Sequence, residues 1–265
     1  AGQRFRHNRA GRQRFGQRVA VVADDDEQRA GGDMLVEPPV FDLHLAADAG
    51  RKGVCRVNVI DLRDFAHDRR RTVDDRPYGG GPGMLMKCEP WFEAVESCVG
   101  TVRPLDSGVR VVMTSPAGRT FSQRLAEEFA QQRKIVFMCG HYEGFDARIR
   151  TLATDEVSIG DFVMTGGELA AAAMVDAAVR LIPGVLGGGP AATASESFGR
   201  EGLLEAPQYT RPPVFRGMAV PQVLIDGDHR RADAWKRREA RKLTEENRPD
   251  LLGRIEKKPE TGEED

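Results

Sequence analysis

KIVFMCGHYEGFDARI, Lys134–Ile149, is the stretch on which the fold turns. Its first part, Lys134–Gly140, is an apolar run that stops at a glycine, the pattern of a short strand buried on both faces. Its second part crowds His141, Tyr142, Glu143, Asp146 and Arg148 into the strand's exit. In an open α/β sheet, ligands bind outside the carboxyl ends of the strands, so polar groups gathered there predict a site. The same pattern recurs on either side. Val54–Leu62 (VCRVNVIDL) is β-branched and predicts a buried strand, Val109–Ser115 a strand running into a Pro116-Ala117-Gly118 turn, and Asp155–Ile159 a short strand. Helices are expected between them. Glu89–Val99 carries Phe92, Val95 and Val99 at helical spacing, Ser122–Gln132 has Ser122 as its N-cap, and Glu168–Leu181 is alanine-rich and closed by Pro183-Gly184. Strands alternating with helices predict an α/β domain built on a mostly parallel sheet.

The chain of 265 residues is long enough for one large domain or two ordinary ones. With 40% hydrophobic and 30% charged residues it has the composition of a soluble globular protein. No apolar run reaches the roughly 18 residues of a membrane span, and the longest candidate, Leu169–Ile182, is interrupted by Asp176 and Arg180. The arginine-rich start lacks the apolar segment of a signal peptide. Cys55, Cys88, Cys98 and Cys139 form no CxxC pair, and the histidines complete no zinc spacing, so free thiols in a reducing cytoplasm are expected. Net charge is −2, but the cations are bunched: residues 1–18 hold six arginines and no acid, and 67–76 and 229–242 are further basic runs. Such patches matter more than the sum when the partner is a polyphosphate.

The predicted organisation is a poorly specified segment at 1–50, the sheet domain at 51–186, a flexible glycine-rich linker at 187–198, a basic helical domain at 199–256 and a disordered tail at 257–265. Within the first segment only Arg18–Ala23 (RVAVVA) has the character of a short strand. In the helical domain, Ala232–Leu243 and Arg248–Ile255 are the expected helices.

Further glycine-bearing loops accompany the Lys134–Ile149 stretch. DDRPYGGGPGMLM, Asp74–Met86, lacks both GK[ST] and GxGxxG, which argues against a nucleoside triphosphate; a structural turn would also use these glycines. Met113–Phe121 (MTSPAGRTF) is open between a site loop and an ordinary strand–helix turn. Ser158–Ala170 (SIGDFVMTGGELA) sets Gly166-Gly167 directly before a helix, where backbone N–H groups can meet a polar ligand. Three strand-end loops of one sheet can converge on a single ligand, but their spacing does not name it.

Asp74–Met86, Cys139–Arg148, Ser158–Leu169, Arg180–Gly187 and Gly202–His229 (GLLEAPQYTRPPVFRGMAVPQVLIDGDH) closely resemble the bacterial tRNA (guanine-N1)-methyltransferase family, TrmD. The resemblance runs from Arg51 to Leu252, about three quarters of the chain. It implies a trefoil-knotted SPOUT methyltransferase domain followed by a small C-terminal helical domain, working as a homodimer. The implied reaction moves a methyl group from S-adenosylmethionine to N1 of the guanosine at tRNA position 37, beside the anticodon. The implied donor contacts fall on Met113, Thr114, Pro116 and Gly118, on Gly140, Tyr142 and Glu143, and on Ile159, Gly160, Met164, Gly166 and Gly167. Small residues suit that task, because backbone groups must reach the adenine and ribose. Glu143 is similar to the family residue near the target guanine, and Arg180 to the one that helps to hold it. On its own, Arg180 also fits a cation at a helix C-terminus.

Guanine N1 carries a proton that must leave as the methyl arrives, which suits a carboxylate base. The family's base is an aspartate in an E-D-S-F-like stretch. Here the stretch is Ser195-Glu196-Ser197-Phe198, after a linker one residue longer, so Glu196 stands in the aspartate's place with its carboxylate one methylene further out. A misplacement of about 1 Å can cost about 10²-fold, which the flexible linker is expected to absorb. The family opens on a strand and an F-P-E-x-F stretch; only PPVFDL, Pro38–Leu43, stands near that place. The basic runs at 67–76 and 229–242 are expected to grip the anticodon stem-loop through its phosphates. The resemblance also suggests that Mg²⁺ assists, although no ligand cluster marks a site for it. Two competing readings are another SPOUT reaction, such as ribose 2′-O-methylation, and an inactive RNA-binding homologue.

Overall fold

The computed structural model describes residues 18–23, 55–101, 103–187, 193–199 and 201–255. The readings made at Pro38–Leu43, at 188–192 of the glycine-rich linker and at the 257–265 tail lie outside these residues. The chain divides into two compact units, 1–185 and 186–265.

In chain order the first unit holds strands β1 (Arg18–Ala23) and β2 (Arg56–Asp61), the two-residue strands β3 (Asp74–Asp75) and β4 (Leu85–Met86), and helix α1 (Cys88–Val99). Then come strand β5 (Val109–Thr120), helix α2 (Gln123–Ala130), strands β6 (Lys134–Met138) and β7 (Asp155–Ser158), and helix α3 (Glu168–Val179). The main sheet has the order β2-β1-β6-β5-β7. β5 pairs parallel with both β6 and β7, and β1 pairs antiparallel with both β2 and β6. Because β1 opposes both its neighbours, β2 runs with β6, so four of the five strands share one direction. The mostly parallel sheet expected from the sequence is what forms, with β1 as the exception.

Strand alternation explains why Val111–Met113 and Ile135–Met138 are apolar throughout. Val112 on β5 and Ile135 and Phe137 on β6 enter a core with Leu125 and Phe129 of α2 and with Ala171, Met174, Val175 and Val179 of α3. Their neighbours Val111, Met113, Val136 and Met138 enter a second core with Trp91 and Val95 of α1 and with Leu62, Ile149 and Leu152 of two 3-10 turns. The sheet is therefore covered on both faces, and neither set can be polar without stranding charge in a core. The small side chains of α3 leave it buried along much of its length and let it lie close to the sheet.

Local chemistry sets the helix ends. Ser122 caps α2 as expected, its Oγ accepting the Leu125 N–H at 3.4 Å. Gly100, at φ +76°, closes α1 through its N–H to the Glu96 carbonyl. Pro90 sits in the first turn of α1, where its missing N–H costs nothing. Several boundaries differ from the expectations. β5 does not stop at Ser115 but resumes at Arg119, because Thr114 and Arg119 both pair with Val157. α3 ends at Val179 rather than Leu181, with Arg180 as its C-cap.

The second unit carries helix α4 (His229–Asn247), helix α5 (Pro249–Ile255) and a small hairpin of β8 (Val214–Phe215) and β9 (Met218–Ala219). α4 is longer than the expected Ala232–Leu243 because Asp228 caps it earlier, its carboxylate accepting the Arg231 N–H at 3.1 Å.

Phe137 is fully buried at the centre of the first core. Phe137→Ala is expected to destabilise the folded chain by about 3–5 kcal/mol, read from the urea midpoint.

Candidate active site

The carboxyl ends of β5, β6 and β7 lie side by side, since Met113 is in register with both Met138 and Glu156. The loops that leave these ends are joined by specific bonds. The Gly167 N–H donates to the Gly140 carbonyl at 2.9 Å, and His141 pairs with Gly166 in an antiparallel bridge. This ties the exit of β6 to the start of α3. The buried Thr114 closes the third side, its hydroxyl donating to the Met138 carbonyl at 3.0 Å. A Cβ on Gly167 would lie 2.0 Å from Thr114 Oγ1 and 3.1 Å from Cys139 Cα, so only glycine allows this approach.

The Ser115–Gly118 excursion leaves the sheet and returns within one residue of β7. A Cβ on Gly118 would lie 2.4 Å from the Val157 backbone nitrogen, so glycine is required for the chain to come back so tightly. Pro116 and Ala117 are exposed at the tip. On the β7 side, Ser158 Oγ accepts the Gly160 N–H at 3.1 Å and donates to the Gly160 carbonyl, turning the chain sharply after Ile159. Ile159 and Met164 are half-buried against the first core, and Tyr142 is half-exposed at φ +57°.

The glycine-rich loop meets the same region from the other side. The Glu143 N–H donates to the Met84 carbonyl at 3.1 Å, the Met86 N–H to the Gly144 carbonyl at 2.9 Å, and the Asp146 N–H to the Met86 carbonyl at 3.0 Å. The Glu143 side chain lies over Gly83, where a Cβ would come within 2.4 Å of its Cγ. The structure thus joins Thr114, Gly140, Gly166 and Gly167 by direct bonds or close approach, with Met113, Pro116, Gly118, Tyr142, Glu143, Ile159, Gly160 and Met164 on the same loops and strand ends.

Around this cluster most carboxylates are already committed. Arg148 donates two side-chain N–H bonds to Asp146 and holds its carboxyl well below the usual range. Arg150, then the Ser115 hydroxyl, lowers the pKa of Glu156. Asp155, with its side chain 6% exposed, pairs with Arg119 at 2.6 Å and Arg110 at 3.4 Å. Asp146 and Glu156, held in the charged form, are weak proton acceptors.

Arg180 is the half-buried C-cap of α3, its N–H directed at the Ala178 and Asp176 carbonyls. Glu196 belongs to the second unit, in a tight loop at 193–199. Its carbonyl accepts the Gly199 N–H at 2.9 Å, and the Phe198 N–H donates to the Leu203 carbonyl at 2.8 Å. The loop is anchored further along, where the Glu205 N–H donates to Ser197 Oγ at 3.0 Å and the Leu204 N–H to Thr244 Oγ1 at 2.9 Å. Thr244 is fully buried on α4, so the backbone carrying Glu196 is fixed to that helix. Sequence reasoning did not find this anchor, nor the 2.5 Å contact between His141 Nε2 and Glu168 Oε1. Only the crowding of polar groups after Gly140 pointed toward the latter. Among the described residues, no group of three or more His, Cys, Asp or Glu is placed to hold a metal ion.

A sequence profile described as tRNA (Guanine-1)-methyltransferase TrmD matches residues 33–254. The chain belongs to this family. It is similar to the tRNA (guanine-N(1)-)-methyltransferase of Anaeromyxobacter sp. (strain K), 53% identical over 207 residues that cover 78% of this chain and 82% of the relative. The protein of that name from Dehalococcoides mccartyi (strain ATCC BAA-2266 / KCTC 15142 / 195) is 50% identical over 216 residues, 81% of this chain and 85% of the relative. That from Latilactobacillus sakei subsp. sakei (strain 23K) is 54% identical over 196 residues, 74% and 78% of the two chains. Membership supports the family's SPOUT fold for the first unit, and the α/β sheet with its parallel β6-β5-β7 portion agrees with it.

Gly167→Ala is expected to destabilise the chain by about 1–3 kcal/mol through overpacking, measured by urea unfolding. Adding Thr114→Ala should recover part of the loss, since Oγ1 is the closest clashing atom. Gly118→Ala should show no such rescue, because there the clash is with β7 backbone.

Proposed function

We propose that this chain transfers a methyl group from S-adenosylmethionine to N1 of the guanosine at tRNA position 37. The observation that carries the reading is the union of the strand-end loops through Gly140, Gly167 and Thr114, in a chain whose relatives are named tRNA (guanine-N(1)-)-methyltransferases. An adenosyl group needs flat apolar walls and a hydrogen-bonding edge. Pro116, Ala117, Ile159 and Met164 can provide the first, and the backbone of Gly140–Tyr142 and Gly160 the second. The residues that would hold the donor are Met113, Thr114, Pro116, Gly118, Gly140, Tyr142, Glu143, Ile159, Gly160, Met164, Gly166 and Gly167.

When bound, the donor supplies a sulfonium-activated methyl carbon. The protein then has two tasks. Arg180 orients the target guanine with its planar guanidinium. Glu196 accepts the N1 proton as the new N1–carbon bond forms and the sulfur–carbon bond breaks, so the positive charge of the donor is cancelled and the product is neutral at N1. Its fixed backbone gives the longer glutamate a defined reach. No step in this scheme requires Mg²⁺.

The rest of the reading follows the family. The first unit is a trefoil-knotted SPOUT domain, and the second is the tRNA-binding helical domain. α4 supports the latter with Arg230, Arg231, Lys236, Arg237, Arg238, Arg241 and Lys242, a row of cations suited to the anticodon stem-loop phosphates. The exposed Tyr142, Phe162, Val163 and Leu169 around the donor loops support a homodimer in which one subunit's donor loops face its partner's Glu196 segment. Among the described residues no helix is long and apolar enough to cross a membrane. A tRNA substrate fits a cytoplasmic setting.

The test is transfer of labelled methyl to unmodified tRNA, followed by digestion to nucleosides. N1-methylguanosine is the expected product. A 2′-O-methyl nucleoside would assign the other SPOUT chemistry, and tRNA binding without label would make the chain an inactive RNA-binding homologue. Glu196→Gln should lower transfer by about 10²–10⁴-fold while leaving donor binding intact; unchanged transfer would remove Glu196 as the base.

A further inference from the structure

We propose that His141 and Glu168 form a positioning pair that sets the relative placement of the β6-exit loop and the start of α3, and through it the affinity for the adenosyl donor. The proposal rests on the reading that these loops bind that donor. His141 Nε2 and Glu168 Oε1 are 2.5 Å apart, with the two side chains 21% and 27% exposed. They come from different loops: His141 follows Gly140, and Glu168 is the first residue of α3.

The pair lies directly over Gly166. A Cβ there would be 2.4 Å from Glu168 Oε2 and 3.0 Å from both His141 Cε1 and Nε2. Beneath it run the His141–Gly166 bridge and the Gly167–Gly140 hydrogen bond. The backbone therefore joins the two loops at one edge, and the side chains join them again above it. Backbone links along one edge leave a hinge about that edge; a side-chain tie above it removes the hinge. Glu168 also suits its place energetically, since a carboxylate in the first helical turn faces the positive end of the helix dipole. A partly buried carboxylate needs a polar partner, and His141 supplies one.

The consequence passes to the next residue. Tyr142 is held at φ +57°, half-exposed, with its ring 6.0 Å from the His141 ring. Fixing the His141 ring fixes where that strained residue presents its backbone. Neither member of the pair is assigned a proton transfer; both act through Gly140, Tyr142, Gly166 and Gly167.

The experiment is a double-mutant cycle on the full chain, with the affinity for S-adenosylhomocysteine measured calorimetrically and tRNA affinity measured in parallel. His141→Ala and Glu168→Ala should each weaken S-adenosylhomocysteine binding by about tenfold, and the double variant should be no weaker than either single. tRNA affinity should stay within about twofold, because no phosphate contact is removed. Two conservative variants separate positioning from bulk stability. Glu168→Gln keeps an acceptor at the same reach and should retain most of the binding. Glu168→Asp keeps the charge but draws it back by one methylene, and should lose as much as Glu168→Ala. Additive losses, unchanged binding in the alanine variants, or equal loss of tRNA affinity would overturn the proposal. Failure of the unaltered chain to bind S-adenosylhomocysteine would overturn the donor-site reading and this one together.

Discussion

The bond from the Gly167 N–H to the Gly140 carbonyl holds the site together. It joins the end of the central strand β6 to the start of α3, and it forms only because neither Gly167 nor the neighbouring Gly166 carries a side chain. From this junction the β6-exit loop is strung between two anchors. On one side is α3, seated in the first core; on the other is the glycine-rich loop, bonded through Met84 and Met86. Trp91 of α1 and Phe145 of the β6-exit loop, packed edge to face at 5.1 Å, then fasten the β6-exit loop to the second core. A displacement at Gly140 is therefore felt on both faces of the sheet, because packed cores do not yield by small increments.

Electrostatics holds the strand-end loops of the first unit. The acids nearest the strand-end loops serve as structural anions: Asp146 for Arg148, Glu156 for Arg150 and Ser115, and Asp155 for Arg110 and Arg119. Asp146 and Glu156, stabilised as anions, hold their loops but accept protons poorly. The proposed base, Glu196, sits on a separate loop whose own backbone is fixed through Ser197 and Thr244.

Much of this was legible in the sequence for a physical reason. A strand buried on both faces must be apolar at every buried position, so Ile135–Met138 and Val111–Met113 announced themselves. Ser122 is a local cap and needs only its own turn. What was not legible depends on partners distant along the chain. The return of β5 at Arg119 requires Val157 to pair twice. The His141–Glu168 contact spans 27 residues, and the Leu204–Thr244 anchor spans 40. No local pattern encodes such meetings. The glycines were visible as a composition, yet their separate reasons emerged only with the atoms they face: a hydroxyl at Gly167, strand backbone at Gly118 and an aromatic ring at Gly140.

The central claim is that the loops at 113–118, 139–143 and 159–167 form one donor site around the Gly140–Gly167 junction. Amide hydrogen exchange of the full chain, with and without saturating S-adenosylhomocysteine, tests it most directly. The account predicts slowed exchange in all three segments together, with α4 unchanged. Slowing confined to one segment, or appearing elsewhere while these three exchange as before, would contradict it.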